Sequence, residues 1–72
     1  MIERHPVTSS SLQSVGYDER TQEMSVEFKS GRVYTYKGVP AHTYRNMLRA
    51  PSIGRFHANQ VKDVYPFTTA SR

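Results

Sequence analysis

Residues 23–36 read EMSVEFKSGRVYTY and contain the clearest structural pattern in the chain. Polar and apolar side chains alternate without a break over residues 23–28, which is the period of a strand with one buried face. Ser30-Gly31 is a turn signal, and the β-branched and aromatic side chains of residues 32–36 predict a returning strand. The stretch therefore predicts an antiparallel hairpin.

The length of the turn determines which face of the hairpin carries the two tyrosines. A two-residue loop, Ser30-Gly31, would place Tyr34 and Tyr36 on the polar face. A three-residue loop over 29–31 puts Gly31 in the left-handed bulge position and turns both tyrosines to the core face. A shift of one residue reverses the faces. Ser-Gly is not among the strongest two-residue turn signals, so we favour the longer loop and expect both tyrosines to be at least partly buried.

Two short helices are predicted after the hairpin. Apolar side chains recur at helical spacing in residues 41–50, with Pro40 as the first helical residue. Pro51 ends this helix, and Ser52 is placed to cap the next one. Residues 53–64 again carry apolar side chains at helical spacing, although Gly54 favours a short helix and Val61 to Tyr65 could instead be extended.

The predicted fold class is α+β: a three-stranded antiparallel β-meander with two short helices packed on one face. The chain is expected to be a single domain with a core over about residues 7–65. Its first strand covers residues 12–17, and residues 1–6 and 66–72 are expected to be flexible tails. The predicted core side chains are Met24, Val26, Phe28, Tyr34, Tyr36, Tyr44, Leu48, Ile53, Phe56 and Val61.

The charge is distributed unevenly along the chain. Ten Lys or Arg residues against six Asp or Glu residues give a net charge of +4. No acidic residue lies between Glu27 and Asp63, and seven of the ten cations fall in that window. Such a window indicates an anionic partner, although a solvated basic face that only maintains solubility is the other interpretation. The candidate contact residues are Arg32, Lys37, His42, Arg45, Arg49 and Arg55.

The composition argues against several other classes of protein. Cysteine is absent, which excludes thiol catalysis and cysteine zinc sites and favours a reducing compartment. The first residues have no apolar run typical of a signal peptide, and no window approaches the ~20 apolar residues of a membrane span. We therefore expect a cytoplasmic protein with no membrane partner.

Catalytic motifs are not recognisable in the sequence. Serines at 9–11, Asp18 and three histidines supply the residue types of a catalytic triad but none of its motifs, and such serines are typical of turns and caps. The histidines, at positions 5, 42 and 57, are scattered, so no metal site is predicted. The glycines are too far apart to hold a phosphate. We expect no enzymatic activity and no cofactor.

Several short segments occur in an order and spacing that resemble one known family. The segments are Val7-Thr8-Ser9-Ser10, Leu12, Gly16-Tyr17-Asp18, Phe28-Lys29-Ser30-Gly31, Tyr34-Thr35-Tyr36, Gly38-Val39-Pro40, Tyr44, Leu48, Ala50, Ser52, Gly54, Phe56 and Asn59. From about Val7 to Tyr65 the chain resembles the KTSC domain, which is named for its place at the C-terminus of some lysyl-tRNA synthetases. The family also includes small bacterial and phage proteins. The resemblance implies a binding module, with RNA as the partner proposed for the family.

Two classes of partner are left open by the sequence. Cations interleave with aromatic residues over 32–37, which favours RNA if the tyrosines are exposed for stacking. Buried tyrosines beside a compact basic and apolar patch would instead favour a protein partner. A small basic domain is equally suited to dock on an acidic protein, as a phage-type regulator of host RNA polymerase would, without itself binding nucleic acid. We expect a monomeric, non-catalytic regulatory module of the gene-expression machinery.

Overall fold

A computed structural model describes residues 2–70, without the side chain of Ala70. Its five strands form one antiparallel sheet, in which their order follows the chain. The strands are β1 (His5–Pro6), β2 (Leu12–Asp18), β3 (Glu23–Phe28), β4 (Val33–Tyr36) and β5 (Phe67–Ala70). Two helices, α1 (Ala41–Arg49) and α2 (Ile53–Gln60), lie in the chain between β4 and β5. Met1, Ser71 and Arg72, at the outer ends of the two predicted tails, lie outside the described residues.

The hairpin formed by β3 and β4 has the predicted three-residue loop. Gly31 adopts a φ of 98°, a left-handed conformation that glycine tolerates without the steric cost of a Cβ. Tyr34 consequently lies opposite Val26, and Tyr36 lies opposite Met24. Tyr36 is 1% exposed and Tyr34 is partly buried, so the prediction that both tyrosines face the core is confirmed.

The prediction of three strands is wrong, because both predicted tails contribute strands to the sheet. After α2 the chain returns to β4, where the Lys37 N–H donates to the Pro66 carbonyl at 2.9 Å. β5 then pairs with β4, with Phe67 opposite Tyr36. At the other edge, the two residues of β1 pair with β2. Strands of two and four residues are too short to show a clear periodicity, and their pairing depends on partners distant in the sequence.

The two helices cover one face of the sheet, as predicted. Tyr17, Met24 and Tyr36 are cross-strand neighbours on β2, β3 and β4 and therefore share a face. Tyr44 of α1 stacks on Tyr17 with ring centroids 5.1 Å apart. His57 of α2 packs edge to face with Tyr36 at 5.4 Å.

The two helix starts differ in how well they were predicted. Ser52 caps α2 as expected, because its hydroxyl oxygen accepts a hydrogen bond from the Arg55 N–H at 3.3 Å. Pro40 is not the first helical residue of α1. Its backbone is extended, with ψ 151°, while its carbonyl accepts from the Thr43 N–H at 3.0 Å. Pro40 therefore occupies the cap position, and the helix begins at Ala41.

The core matches the prediction in β3 and β4, but the prediction missed Leu12 and Val15 of β2 and chose the wrong residue in α1. Fully buried apolar side chains are Leu12, Val15, Met24, Val26, Tyr36, Val39, Met47 and Val61. Partly buried side chains from the predicted set, packed against that core, are Phe28, Tyr34, Tyr44, Ile53 and Phe56. Leu48, which was predicted to be in the core, is 42% exposed. Met47 takes the inward position instead, since consecutive helical residues point about 100° apart.

Candidate functional site

A groove of about 590 Å³ opens between the hairpin loop and α2, and we call it the basic groove. Its lining residues are Ser11, Phe28, Lys29, Ser30, Arg32, Tyr34, Tyr36, Gly54, His57, Ala58 and Lys62. Rings from three strand residues and one helix residue form its apolar floor, and the exposed cations Lys29, Arg32 and Lys62 contribute to its lining. Among the residues described, none that lines this groove is acidic.

Backbone hydrogen bonds fix the chain at the three residues whose cationic side chains line the groove. The Phe28 N–H donates to the Arg32 carbonyl at 2.9 Å, which closes the hairpin loop. The Lys29 N–H donates to the Ser11 carbonyl at 3.0 Å, which ties the loop to the segment before β2. The Lys62 N–H donates to the His57 carbonyl at 2.9 Å, which places Lys62 in the turn after α2. The cations thus come from two elements that are distant in the sequence.

The floor of the basic groove contains a buried pair of polar side chains. The Tyr36 hydroxyl and His57 Nε2 lie 2.7 Å apart, and His57 is 4% exposed. Burial, and to a smaller extent the charge of Lys62, lowers the pKa of His57 below its ordinary value of 6.5. Burial raises the pKa of Tyr36 to about 12, with smaller contributions from Tyr34 and Asp63. Both groups are therefore neutral near pH 7, and the positive charge of the groove comes from its cations.

The serine segment before β2 has a structural role in this region. The Ser9 hydroxyl oxygen accepts hydrogen bonds from the N–H groups of Ser11 and Leu12 at 3.3 and 3.2 Å. This is the local turn chemistry predicted for the serine run. Gly54 of α2 packs against the same segment, because a Cβ on Gly54 would lie 2.8 Å from the Ser11 hydroxyl oxygen.

Two of the cations predicted from the sequence line different grooves. Arg32 lines the basic groove. Arg45 lines a second groove of about 700 Å³, whose walls also include the acidic side chains Glu3, Asp18 and Glu19. The second groove is larger, but its mixed charge makes it a poorer site for a polyanion than the basic groove, whose charge has one sign.

The other predicted contact residues are also dispersed. Arg55 lines a third groove of about 290 Å³ at the junction of the two helices. Lys37 is exposed just after β4, and His42 and Arg49 are exposed on α1. The structure therefore does not bring the six predicted residues into one groove.

Sequence reasoning missed Lys29 and Lys62 as partners of Arg32. Both lie in the window that has no acidic residue, so their charge was visible in the sequence. The three-residue loop also placed Lys29 within three residues of Arg32. The contribution of Lys62 depends on how α2 packs on the sheet, and no local pattern reports that packing.

Residues 2–70 show neither a metal-binding cluster nor a membrane-spanning helix. His, Asp and Glu side chains in this range form no group of three or more that could hold a metal ion. None of the helices in the same range is both long and apolar enough to cross a membrane.

Comparison with known proteins places the chain in a family. The model of the KTSC domain matches residues 8–65. This chain belongs to the KTSC domain family. The crystal structure of the KTSC domain protein YPO2434 from Yersinia pestis matches this structure with a TM-score of 0.94 and 31% sequence identity. That match covers 99% of this chain and 100% of the Yersinia chain.

Two relatives illustrate the contexts in which KTSC sequences occur. An uncharacterized protein from Stutzerimonas stutzeri is 47% identical over 60 residues, which cover 83% of each chain. A lysine–tRNA ligase from Nostoc punctiforme is 32% identical over 60 residues. These residues are 83% of this chain but only 11% of the ligase. A sequence similar to this chain therefore occurs both in a protein of similar length and as a small part of a much longer enzyme.

Proposed function

We propose that this KTSC domain protein is a non-catalytic module of the gene-expression machinery that binds RNA through the basic groove. The observation that carries the proposal is the set of three cations, Lys29, Arg32 and Lys62, around an aromatic floor. Among the described residues, no acidic side chain lines that groove.

The charge arrangement suits a phosphate backbone. Phosphates attract Lys and Arg regardless of base sequence, and each neutralised phosphate releases bound counterions. A groove lined by cations and by no acidic side chain, over a largely apolar, low-dielectric floor, concentrates the positive potential. Lys29 and Arg32 lie at the hairpin turn and Lys62 lies in the turn after α2, so an RNA strand that occupies the groove is contacted from two parts of the chain.

Two considerations favour RNA over an acidic protein surface as the partner. Aromatic rings beside cations are characteristic of sites that bind single-stranded nucleic acid, because every base has a face that can stack. A segment similar to this chain also occurs in an enzyme whose name gives tRNA as a substrate. The buried Tyr36, 1% exposed, cannot stack on a base and taken alone favours an acidic protein such as an RNA polymerase subunit. Phe67, 47% exposed and stacked on Tyr34, supplies an accessible ring in its place.

A binding role also agrees with the state of the polar groups in the groove. His57 Nε2 and the Tyr36 hydroxyl are hydrogen-bonded to each other, and both groups are neutral near pH 7. Ser9 holds a local turn. These side chains are engaged in the structure of the groove rather than arranged as a nucleophile with its base.

The test is RNA binding by two variants with equal net charge. K29Q/R32Q neutralises two cations of the basic groove, and R45Q/R49Q neutralises two cations of α1. Anisotropy of a labelled RNA of about 12 nucleotides would be measured between about 50 and 200 mM salt. The parent protein should show a log–log salt slope of about −2, from three phosphates at about −0.7 each. K29Q/R32Q should reduce that slope to about −0.7, and R45Q/R49Q should leave it nearly unchanged.

Each alternative result contradicts a stated part of the proposal. Equal losses in the two variants would mean that net charge, not the groove, controls binding. A loss confined to R45Q/R49Q would move the contact to α1. No RNA binding by the parent protein, together with nuclease-resistant recovery of an RNA polymerase subunit from lysate, would favour the protein partner.

A further inference from the structure

A row of aromatic rings, exposed at its outer end, continues from the floor of the basic groove onto β5. We call Phe28, Tyr34 and Phe67 the aromatic strip. The rings of Phe28 and Tyr34 meet edge to face at 5.1 Å, and those of Tyr34 and Phe67 stack at 4.9 Å with an interplanar angle of 24°. The three residues belong to β3, β4 and β5, so the strip runs across neighbouring strands.

The strip lies on the helix-covered face of the sheet, but its outer ring remains accessible. Phe67 is opposite Tyr36 in the β4–β5 pair, and cross-strand partners point to the same face. Tyr36 is 1% exposed beneath His57, whereas Phe67 is 47% exposed. Phe28 and Tyr34 are partly buried, and both line the basic groove. The helices thus leave uncovered an aromatic surface that is continuous with the cations.

We infer that this protein binds single-stranded RNA, with an unpaired base stacked on the aromatic strip and the adjoining phosphates on Lys29, Arg32 and Lys62. The inference rests on the proposed function and names its substrate class. In duplex RNA the bases are already stacked and paired, and only the backbone and the groove edges are offered to a protein. A site composed of cations alone would bind both forms, whereas a site with an accessible ring surface favours the form whose bases are free.

The packing of the strip also holds its rings in place before a ligand arrives. Each neighbouring pair of rings is in direct contact, and Tyr34 is flanked by Phe28 on one strand and by Phe67 on the other. Side chains held by packing lose little conformational freedom on binding, so more of the stacking energy contributes to affinity.

The test compares one RNA sequence in two forms and two substitutions at one residue. The RNA is a labelled strand of about 12 nucleotides, free or annealed to its complement. F67L keeps apolar bulk but removes the ring, and F67Y keeps the ring. The parent protein should bind the free strand at least about tenfold more tightly than the duplex, since a stacked base contributes a factor of roughly 5 to 150. F67L should lose most of that preference and F67Y should retain it. Circular dichroism melts of both variants check the fold.

The outcomes separate this inference from the proposed function. Equal affinity for strand and duplex, with the salt slope retained, would overturn the inference and leave RNA binding in place. A preference for the free strand that F67L does not reduce, in a variant that melts like the parent protein, would remove Phe67 from the site. A lack of binding to either RNA at low salt would overturn the proposed function together with the inference.

Discussion

Removing the hydroxyl of Tyr36 should destabilise the protein far more than the same change at Tyr34. Tyr36 is 1% exposed, and its hydroxyl lies 2.7 Å from Nε2 of His57, which is itself 4% exposed. Tyr36→Phe leaves a buried ring nitrogen without its partner, which costs about 1–3 kcal/mol. In a domain of this size each kcal/mol lowers Tm by about 4–8 °C, so a fall of about 4–24 °C is expected. Tyr34→Phe, on the same face of the same strand but partly exposed, should change stability by less than about 0.5 kcal/mol.

A double variant tests whether the cost comes from the broken pair. Combining Tyr36→Phe with His57→Leu removes both polar partners, so neither is left buried and unsatisfied. The loss of stability in the double variant should be smaller than the sum of the two single losses. Urea unfolding followed by circular dichroism measures all of the free energies required. Additive losses, or a Tyr36→Phe variant that melts with the parent protein, would refute the assignment of the buried pair.

The burial that raises the pKa of Tyr36 predicts a separate difference between the parent protein and Tyr36→Phe at alkaline pH. Its folded-state value of about 12 is above its ordinary value of 10.0, so the folded protein holds the hydroxyl proton more tightly than the unfolded chain does. The resulting stabilisation, about 3 kcal/mol, is fully present below pH 10.0 and is lost as the pH rises towards 12. The parent protein should therefore lose its stability advantage over Tyr36→Phe between these pH values. A constant difference across the range would contradict the argument.

Two further predictions concern His57 and the inward face of α1. Burial lowers the pKa of His57, so as the pH falls the unfolded chain binds a proton at this residue before the folded protein does. The stabilisation from the neutral, buried His57 is therefore present above pH 6.5 and is lost as the pH falls below that value. Tm measured from pH 7.5 down to about 5 should show this loss in the parent protein but not in His57→Leu. An equal dependence of Tm on pH in the two proteins would contradict the prediction. Met47→Ala should cost about 2–5 kcal/mol in urea unfolding, whereas Leu48→Ala, at a position 42% exposed, should cost much less. A reversed order would mean that α1 is rotated relative to the sheet.

The central hairpin could be predicted because its geometry depends on neighbouring residues. Alternation over 23–28 identified the buried face, and the loop length assigned Tyr34 and Tyr36 to it. Gly31 carries the positive φ that the longer loop requires, so one local residue determined the register of the pair. The cap at Ser52 was predictable for the same reason, since a cap is a contact within one turn of helix.

Features that depend on distant contacts were not predictable from the sequence. Residues 67–70 read FTTA, a composition suited to a strand, but four residues without a visible partner are not distinguishable from a tail. Met47 and Leu48 both lie on the apolar side of α1, and the packing of the helix on the sheet decides which of them points inward. The stretch between Glu27 and Asp63, which has no acidic residue, likewise showed which residues are charged but not which of them share a groove.

The missed strand β5 and the missed cation Lys62 have the same consequence for function. Lys62 reaches the basic groove only because α2 packs on the hairpin, and Phe67 reaches the aromatic strip only because β5 pairs with β4. Both helices lie in the chain between Arg32 and Phe67. Pairing of β5 with β4 brings the Phe67 ring back next to Tyr34. A sequence pattern can therefore identify at most the half of the site that lies on the hairpin, where Arg32 was predicted and Lys29 was missed. The other half exists only when α2 has packed on the hairpin and β5 has paired with β4, which makes the edge strand part of the proposed RNA-binding surface.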